Sequence, residues 1–328
     1  MTELQANKVF AVVVTYEPDA VRLQQVLQAV APQVQYLLIV DNSQTGQARD
    51  TTQLAVQAIS ATPDCFGGSE IEVHAAQANL GLSRAYNLAV QRARKVGASH
   101  LLLLDQDSVV APDMVEALLR GLQRAAGEAY ELGMQGEPVT VGPWYTDELT
   151  GRRSVILRTG RWLVNYIRPA KVTGKQELAQ MPLMPSEMLI SSGSMIPLEV
   201  FDLIGVLDAE LFIDHIDTDW CLRVKHAGCW MAVVPDAQMQ HQLGDHVLRL
   251  WLFRWRLLPV HSPLRLYYTF RNSLWLYVRP HAHWRWILFD LKRLCAVIVI
   301  HMLARGPRLP RIKMILKGLR DGIAGYPS

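Results

Sequence analysis

The first hundred residues alternate two hydrophobic rhythms. Val9–Thr15 is a continuous apolar, valine-rich run, as a strand buried on both faces requires, and Ala20–Val30 then places its apolar positions at helical spacing. The same alternation predicts strands at Tyr36–Val40, Ile71–Ala75 and His100–Leu104, with helices at Ala48–Ser60, Ser83–Lys95 and Pro112–Ala125 between and after them. Strand and helix in strict succession argue for a parallel sheet sandwiched by helices, an α/β fold. Gly127–Pro185 is rich in Gly, Pro, Arg and Trp and yields only fragments of strand. Beyond it the pattern predicts a strand at Met188–Ile196, a short helix at Leu198–Ile204, a helix at Thr218–His226 and a strand at Trp230–Val234.

From Arg249 onward the chain becomes aromatic and basic, with five of the nine tryptophans. Residues 246–328 carry 15 Lys and Arg against 2 Asp and Glu, net +13; the first 245 carry 18 against 28, net −10. That split divides the chain into an acidic catalytic part, 1–245, and a basic helical extension, 246–328, facing an anionic partner. Half of the residues are apolar, which excludes global disorder. Cys65, Cys221, Cys229 and Cys295 form no CxxC pair and read as reduced thiols of a cytosolic protein. Met1–Lys8 is polar and Val9–Val14 is too short for a signal-peptide core, so no leader is expected.

Ligands of a parallel sheet bind beyond the carboxyl ends of its strands, so those ends carry the candidate chemistry. The first runs into Thr15-Tyr16-Glu17 and lacks the GxGxxG of a dinucleotide fold. The second ends in Asp41-Asn42-Ser43, where Asp41 can accept the imide N–H of a pyrimidine or simply cap a turn. In Asn79-Leu-Gly81-Leu-Ser83-Arg84-Ala85-Tyr-Asn87, Gly81 permits a tight turn and Ser83 can cap a helix. That helix N-terminus, with Arg84, suits a diphosphate, although an ordinary loop-to-helix junction would look the same. The fourth strand ends in Asp105-Gln106-Asp107-Ser108. Two carboxylates one residue apart after a four-leucine strand are costly without a cation, and Mg²⁺ held together with substrate phosphates would relieve them. A second acidic cluster follows at Asp214, Asp217 and Asp219, bordered by apolar residues. His241 lies downstream as a candidate ligand.

Together these pieces resemble glycosyltransferase family 2, and most of all its rhamnosyltransferase branch, which builds bacterial O-antigen and other surface polysaccharides. The matching residues are Val14-Thr15-Tyr16, Val40-Asp41-Asn42-Ser43, Asn79-x-Gly81-x-Ser83-x-Ala85-x-Asn87, Leu104-Asp105-Gln106-Asp107-Ser108, Ser192-Gly193, Leu211-Phe212-Ile213-Asp214, Asp217-x-Asp219, Arg223 and His241. A further stretch, His261-Ser262-Pro263-x-Arg265-x-Tyr267-Tyr268-x-x-Arg271-Asn272, matches this branch. The likeness spans roughly residues 8 to 275.

The resemblance implies a GT-A fold and an inverting transfer supported by Mg²⁺ or Mn²⁺. It implies that Thr15, Tyr16, Glu17, Asp41, Asn79, Gly81, Arg84, Asn87, Asp105 and Gln106 line the nucleotide-sugar site, with Asp41 on the base and Arg84 on the diphosphate. Asp107, Asp105 and His241 would hold the metal. Asp217 matches the family's catalytic base, with Asp214 the runner-up, because Ile216 stands where Glu is commoner. The implied donor is dTDP-L-rhamnose and the implied acceptor a lipid-linked saccharide. No nucleic acid is expected as a partner, and a homo-oligomer stays open. A glycoside hydrolase would leave Asp41 and Asn79–Asn87 idle, and a non-catalytic nucleotide- or membrane-binding module would leave both acidic clusters idle.

The segment Trp284–Leu303 approaches the length a bilayer needs, but Asp290, Lys292 and Arg293 are expensive at its centre. An interfacial helix is therefore expected, with Trp284 and Trp286 at the headgroups and Arg305, Arg308, Arg311, Lys313, Lys317 and Arg320 on anionic lipid. That would make the protein peripheral at the cytoplasmic face of the plasma membrane. Packing of this helix on the catalytic part or on a second subunit is the alternative.

Overall fold

A computed structural model describes residues 8–61, 68–160, 164–169, 172, 174–242, 246–251, 255–304 and 306–326. Cys65 and Arg305, named above, lie outside them. The first half follows the alternating pattern closely: β1 (Val9–Thr15), α1 (Ala20–Val30), β2 (Tyr36–Asp41), α2 (Gly46–Ser60), β3 (Glu70–Ala75), α3 (Gly81–Lys95) and β4 (His100–Asp105). Every residue of β1 is buried, which is why its apolar run has no alternation. Helix starts are fixed locally: Asp19 accepts the Arg22 amide ahead of α1, and Thr45 accepts the Ala48 amide ahead of α2.

One eight-stranded sheet organises the chain. Its order is Met184–Ser186, Trp230–Val234, Pro138–Pro143, Met195–Pro197, β4, β1, β2, β3. The β4-β1-β2-β3 half is parallel, while Met195–Pro197 runs antiparallel to both its neighbours. Apolar cores lie on both faces, one around Leu23, Leu27 and Leu118, the other around Tyr86, Trp144 and Phe201. This is the mixed α/β arrangement, with its mostly parallel sheet, that the alternation predicts.

Two local expectations are corrected. Met188–Ile196 is not one strand: only Met195–Pro197 pairs. The residues before it form a loop turning at Gly193, whose φ of 84° suits glycine, and this loop brings Ser192 beneath the end of β4. Ser83 does not cap α3. The helix starts at Gly81, leaving Ser83 fully buried within it, its hydroxyl without a hydrogen-bond partner.

The basic extension consists of a hairpin, His246–Trp251 with Trp255–Val260, and three helices, Pro263–Tyr277, Trp284–Leu303 and Arg308–Ile323. It shares the main core: Trp275, Leu276 and Trp286 pack in the cluster that contains Tyr86 and Phe201. Trp286 and Arg311 therefore turn inward, each 6% exposed, instead of facing outward like Trp284, Arg308, Lys313, Lys317 and Arg320. Among the described residues no helix is long and apolar enough to cross a membrane.

Candidate active site

The carboxyl ends of β1, β2 and β4 converge. Gln106, just past β4, accepts the Tyr16 amide at 2.7 Å and returns a bond to the Tyr16 carbonyl at 3.2 Å, tying the exits of β1 and β4 together. Asp41, 1% exposed, accepts the Thr15 hydroxyl at 3.1 Å and the Ser43 amide at 2.9 Å, so the turn-capping role read from its sequence is present. Glu17 sits in a left-handed conformation and accepts from Thr45 and Gln44, bonds that hold its carboxyl below the usual range.

The Asn79–Asn87 motif is mostly spent on architecture. Asn79 accepts the Gly81 amide at 2.9 Å, and Asn42 accepts the Leu80 amide at 3.2 Å. Asn87 clamps both backbone groups of Leu207, at 2.7 and 3.0 Å. Arg84 lies exposed at the start of α3 and pairs with Glu210 at 3.0 Å.

Asp105, Asp107 and His241 come together from β4 and the strand Met239–His241, one potential ligand atom from each lying within 4.8 Å of the others. Ser108 Oγ joins them, 2.9 Å from His241 Nδ1 and 2.6 Å from Ser192 Oγ, and Ser192 in turn accepts the Asp105 amide at 3.0 Å. Tyr86 donates to Asp105 at 2.7 Å. Burial raises the Asp105 carboxyl, and the neighbouring Asp107 charge adds to it. Burial pulls the other way on His241, but the Asp107 hydrogen bond and charge outweigh it and raise the imidazole. Two hard oxygen donors and one imidazole, arranged so that like charges crowd one another, fit Mg²⁺ or Mn²⁺.

The second acidic cluster separates into three environments. Asp214, at φ 60°, accepts from Arg265 at 2.8 Å and from Thr269 at 3.2 Å. Burial would raise its carboxyl, yet the Arg265 charge and hydrogen bond bring it below the usual range. Asp217, in the first turn of helix Ile216–His226, takes short-range bonds from Thr218, and burial, reinforced by the charges of Asp214 and Asp105, pushes it up to about 6. Asp219 is fully buried and ionised, bonded by Arg223 at 2.9 Å, His281 at 2.9 Å and Arg279 at 3.1 Å.

Sequence reasoning gave no role to Tyr86, Thr269 or Arg265. Arg265 stood inside a quoted motif, and its charge reaches both Asp214 and Asp105. Nothing local announces that reach, because the contact closes across 51 residues of chain.

Residues 10–160 match the family model described as Glycosyl transferase family 2. The chain carries a family 2 glycosyltransferase domain. The glycosyltransferase is 29% identical over 278 residues to the dTDP-rhamnosyl transferase RfbF of Shigella flexneri, covering 84% of this chain and 82% of that protein. It resembles the solved structure of GalNAc-T7 with UDP, GalNAc and Mn²⁺ at 14% identity and a TM-score of 0.52, over 97% of this chain but only 56% of that one. It resembles the mannosyltransferase PcManGT from Pyrobaculum calidifontis, in complex with GDP-Man and Mn²⁺, at 12% identity and a TM-score of 0.51, over 97% and 86% respectively. These two likenesses place the sheet and its helices in the GT-A fold.

Proposed function

We propose that this glycosyltransferase moves L-rhamnose from dTDP-L-rhamnose to a hydroxyl of a lipid-linked saccharide in surface-polysaccharide assembly, with inversion. The observation that carries the reading is the pairing of a metal-competent triad, Asp105, Asp107 and His241, with a nearby carboxyl, Asp217, held near neutrality. The donor follows the relative from Shigella flexneri.

In this reading Asp41, Thr15 and Glu17 border the base, while Tyr16 and Gln106 shape the strand ends beneath it. Asn79, Gly81 and Asn87 hold the loop, and Arg265 joins or replaces Arg84 as the cation facing the diphosphate. A divalent cation at the triad supplies Lewis-acid neutralisation of the departing diphosphate. Asp217 accepts the proton of the acceptor hydroxyl, the oxygen bonds to the anomeric carbon, and the bond from that carbon to the phosphate oxygen breaks. Residues 1–245 supply the donor half. Residues 246–328 complete the site and, through an apolar and basic outer face, hold the enzyme at the cytoplasmic membrane surface.

The test is nucleoside diphosphate release by the full chain from dTDP-L-rhamnose, a UDP-sugar and GDP-mannose, with Mg²⁺, Mn²⁺ or a chelator. Turnover of dTDP-L-rhamnose that the chelator abolishes is expected. Equal turnover of GDP-mannose overturns the donor assignment, and indifference to the chelator overturns the metal site.

A further inference from the structure

Two cavities meet at Asp217. One, of about 220 Å³, lies towards Tyr145, whose ring stands edge-on to His241 at 5.9 Å. The other, of about 260 Å³, is walled by the loop bearing Asp214 and by one face of helix Trp284–Leu303. Trp286, Phe289, Arg293 and Val297 line it from that helix, at the three- and four-residue spacing of a single stripe.

We infer that this second cavity is the acceptor subsite and takes one pyranose ring without a negative charge, seated on the Tyr166–Phe289 rim with a hydroxyl presented to Asp217. The inference rests on the transfer reaction proposed above. A donor sugar hangs from a diphosphate at the triad, so the cavity beside His241 belongs to the donor. The acceptor is left the side built by the basic extension.

The chemistry of the walls is that of a carbohydrate site. Tyr166 and Phe289 lie with ring centroids 5.4 Å apart, tilted by 54°, and give an apolar rim on which either ring can meet the C–H face of a sugar. Thr218, Thr269 and Asp217 offer hydroxyl and carboxylate partners for its edge. The volume is smaller than the roughly 300–1,000 Å³ of drug-sized pockets, which matches a single ring.

The two arginines at the wall are already matched. Asp214 pairs with Arg265 at 2.8 Å. Asp290 pairs with Arg293 at 2.6 Å and accepts from Tyr277 at 2.8 Å. Burial, with the Arg293 charge, pushes the His215 imidazole down to about 4, so it is neutral. An anionic acceptor ring would find Arg265 and Arg293 already taken and the Asp217 carboxyl facing it, and burying an unpaired charge is costly.

The experiment uses the full chain with octyl glucoside, octyl galactoside, octyl rhamnoside and octyl glucuronide. Their binding is read without donor by saturation-transfer NMR, and their glycosylation with dTDP-L-rhamnose and Mn²⁺. Tyr166→Ala and Phe289→Ala are compared with wild type, since both side chains are at least partly exposed and neither substitution opens the core. At least one neutral glycoside should bind and the glucuronide should not. Each variant should raise the acceptor KM about 3- to 10-fold while the donor KM does not follow. A rise in donor KM instead, binding of the glucuronide as tight as that of the glucoside, or no binding by any neutral glycoside would overturn the assignment. Because binding is read without turnover, loss of all transfer would count against the proposed reaction and not against the subsite.

Discussion

Arg265 Nη2 lies 2.8 Å from Asp214 Oδ1, while Asp217, three residues further on, takes its hydrogen bonds from Thr218. The pair sorts the two carboxylates into different tasks. A carboxylate stabilised as an anion by a guanidinium is a poor proton acceptor, whereas one raised towards neutrality is matched to the work of a general base.

Asp217→Asn is therefore expected to lower kcat by roughly 10²-fold or more with the donor KM little changed. Asp214→Asn should release Arg265 and act mainly on donor KM. Steady-state kinetics on both variants decides it: a nearly active Asp217→Asn beside a dead Asp214→Asn would reverse the roles.

The same carboxyl links activity to pH and to stability in opposite directions. As a base it works only when ionised, so kcat/KM should fall about tenfold per pH unit below about 6. For stability, its folded value of about 6 lies above the ordinary aspartate value of 3.8, so the ionised form costs the fold free energy above pH 6. That cost fades as pH drops from 6 towards 3.8. Asp217→Asn should then raise the melting temperature at pH 7.5 by roughly 1–2 °C, about 1 kcal/mol given its partial exposure, and the gain should vanish near pH 4. A melting temperature lowered at pH 7.5 would contradict the burial account.

Gly81 tests the junction between the two halves of the site. Its φ is 73°, and a Cβ there would stand 2.6 Å from the Phe212 ring and 2.7 Å from the Phe212 carbonyl, which accepts the Leu82 amide. Gly81→Ala should cost on the order of 1–3 kcal/mol in denaturant unfolding and push the Phe212–Asp217 loop outward, lowering kcat as well. Gly97→Ala, at φ 66° with nothing within 4 Å, supplies the comparison: backbone strain without the collision, and no loss of kcat.

The outer face of the last two helices exposes Trp284, Leu291, Val299, Leu309, Leu316 and Ile323 among the basic residues Lys292, Arg308, Lys313 and Arg320. Flotation with anionic liposomes at low salt should carry the full chain upward, and high salt should release it. Leu309→Glu with Leu316→Glu should reduce the bound fraction roughly tenfold or more. A chain that stays with the soluble fraction at low salt has no such surface.

The centre of the sheet was legible because β1 and β4 bury both faces, so composition alone marks them. Ser83 misled because a hydroxyl ahead of a helical run imitates a cap, whereas the helix here begins at Gly81, two residues earlier. Met188–Ile196 misled because an apolar loop that packs beneath β4 has the composition of a strand. Spacing marked Asp105 and Asp107, whereas the family resemblance, not any local pattern, joined His241 to them; the three side chains do lie together. The role of Asp219 was not: it shares a motif with Asp217, and only the arrival of Arg279 and His281 from about 60 residues away turns it from one more aspartate of the acidic cluster into a structural ion.

That junction at Asp219 bears on how the enzyme can be recombined. Asp219 belongs to the acidic half, and two of its partners, Arg279 and His281, belong to the basic half; Arg279 also reaches Asp208 at 2.5 Å. A buried carboxylate stripped of its partners costs about 3–5 kcal/mol. Exchanging the last third of the chain with that of a relative would therefore succeed only where the incoming segment brings an arginine and a histidine to these two places. The acidic and basic parts are thus joined as a matched set, and under the proposed acceptor subsite a change of acceptor range calls for substitutions along the cavity wall, not for grafting a new tail.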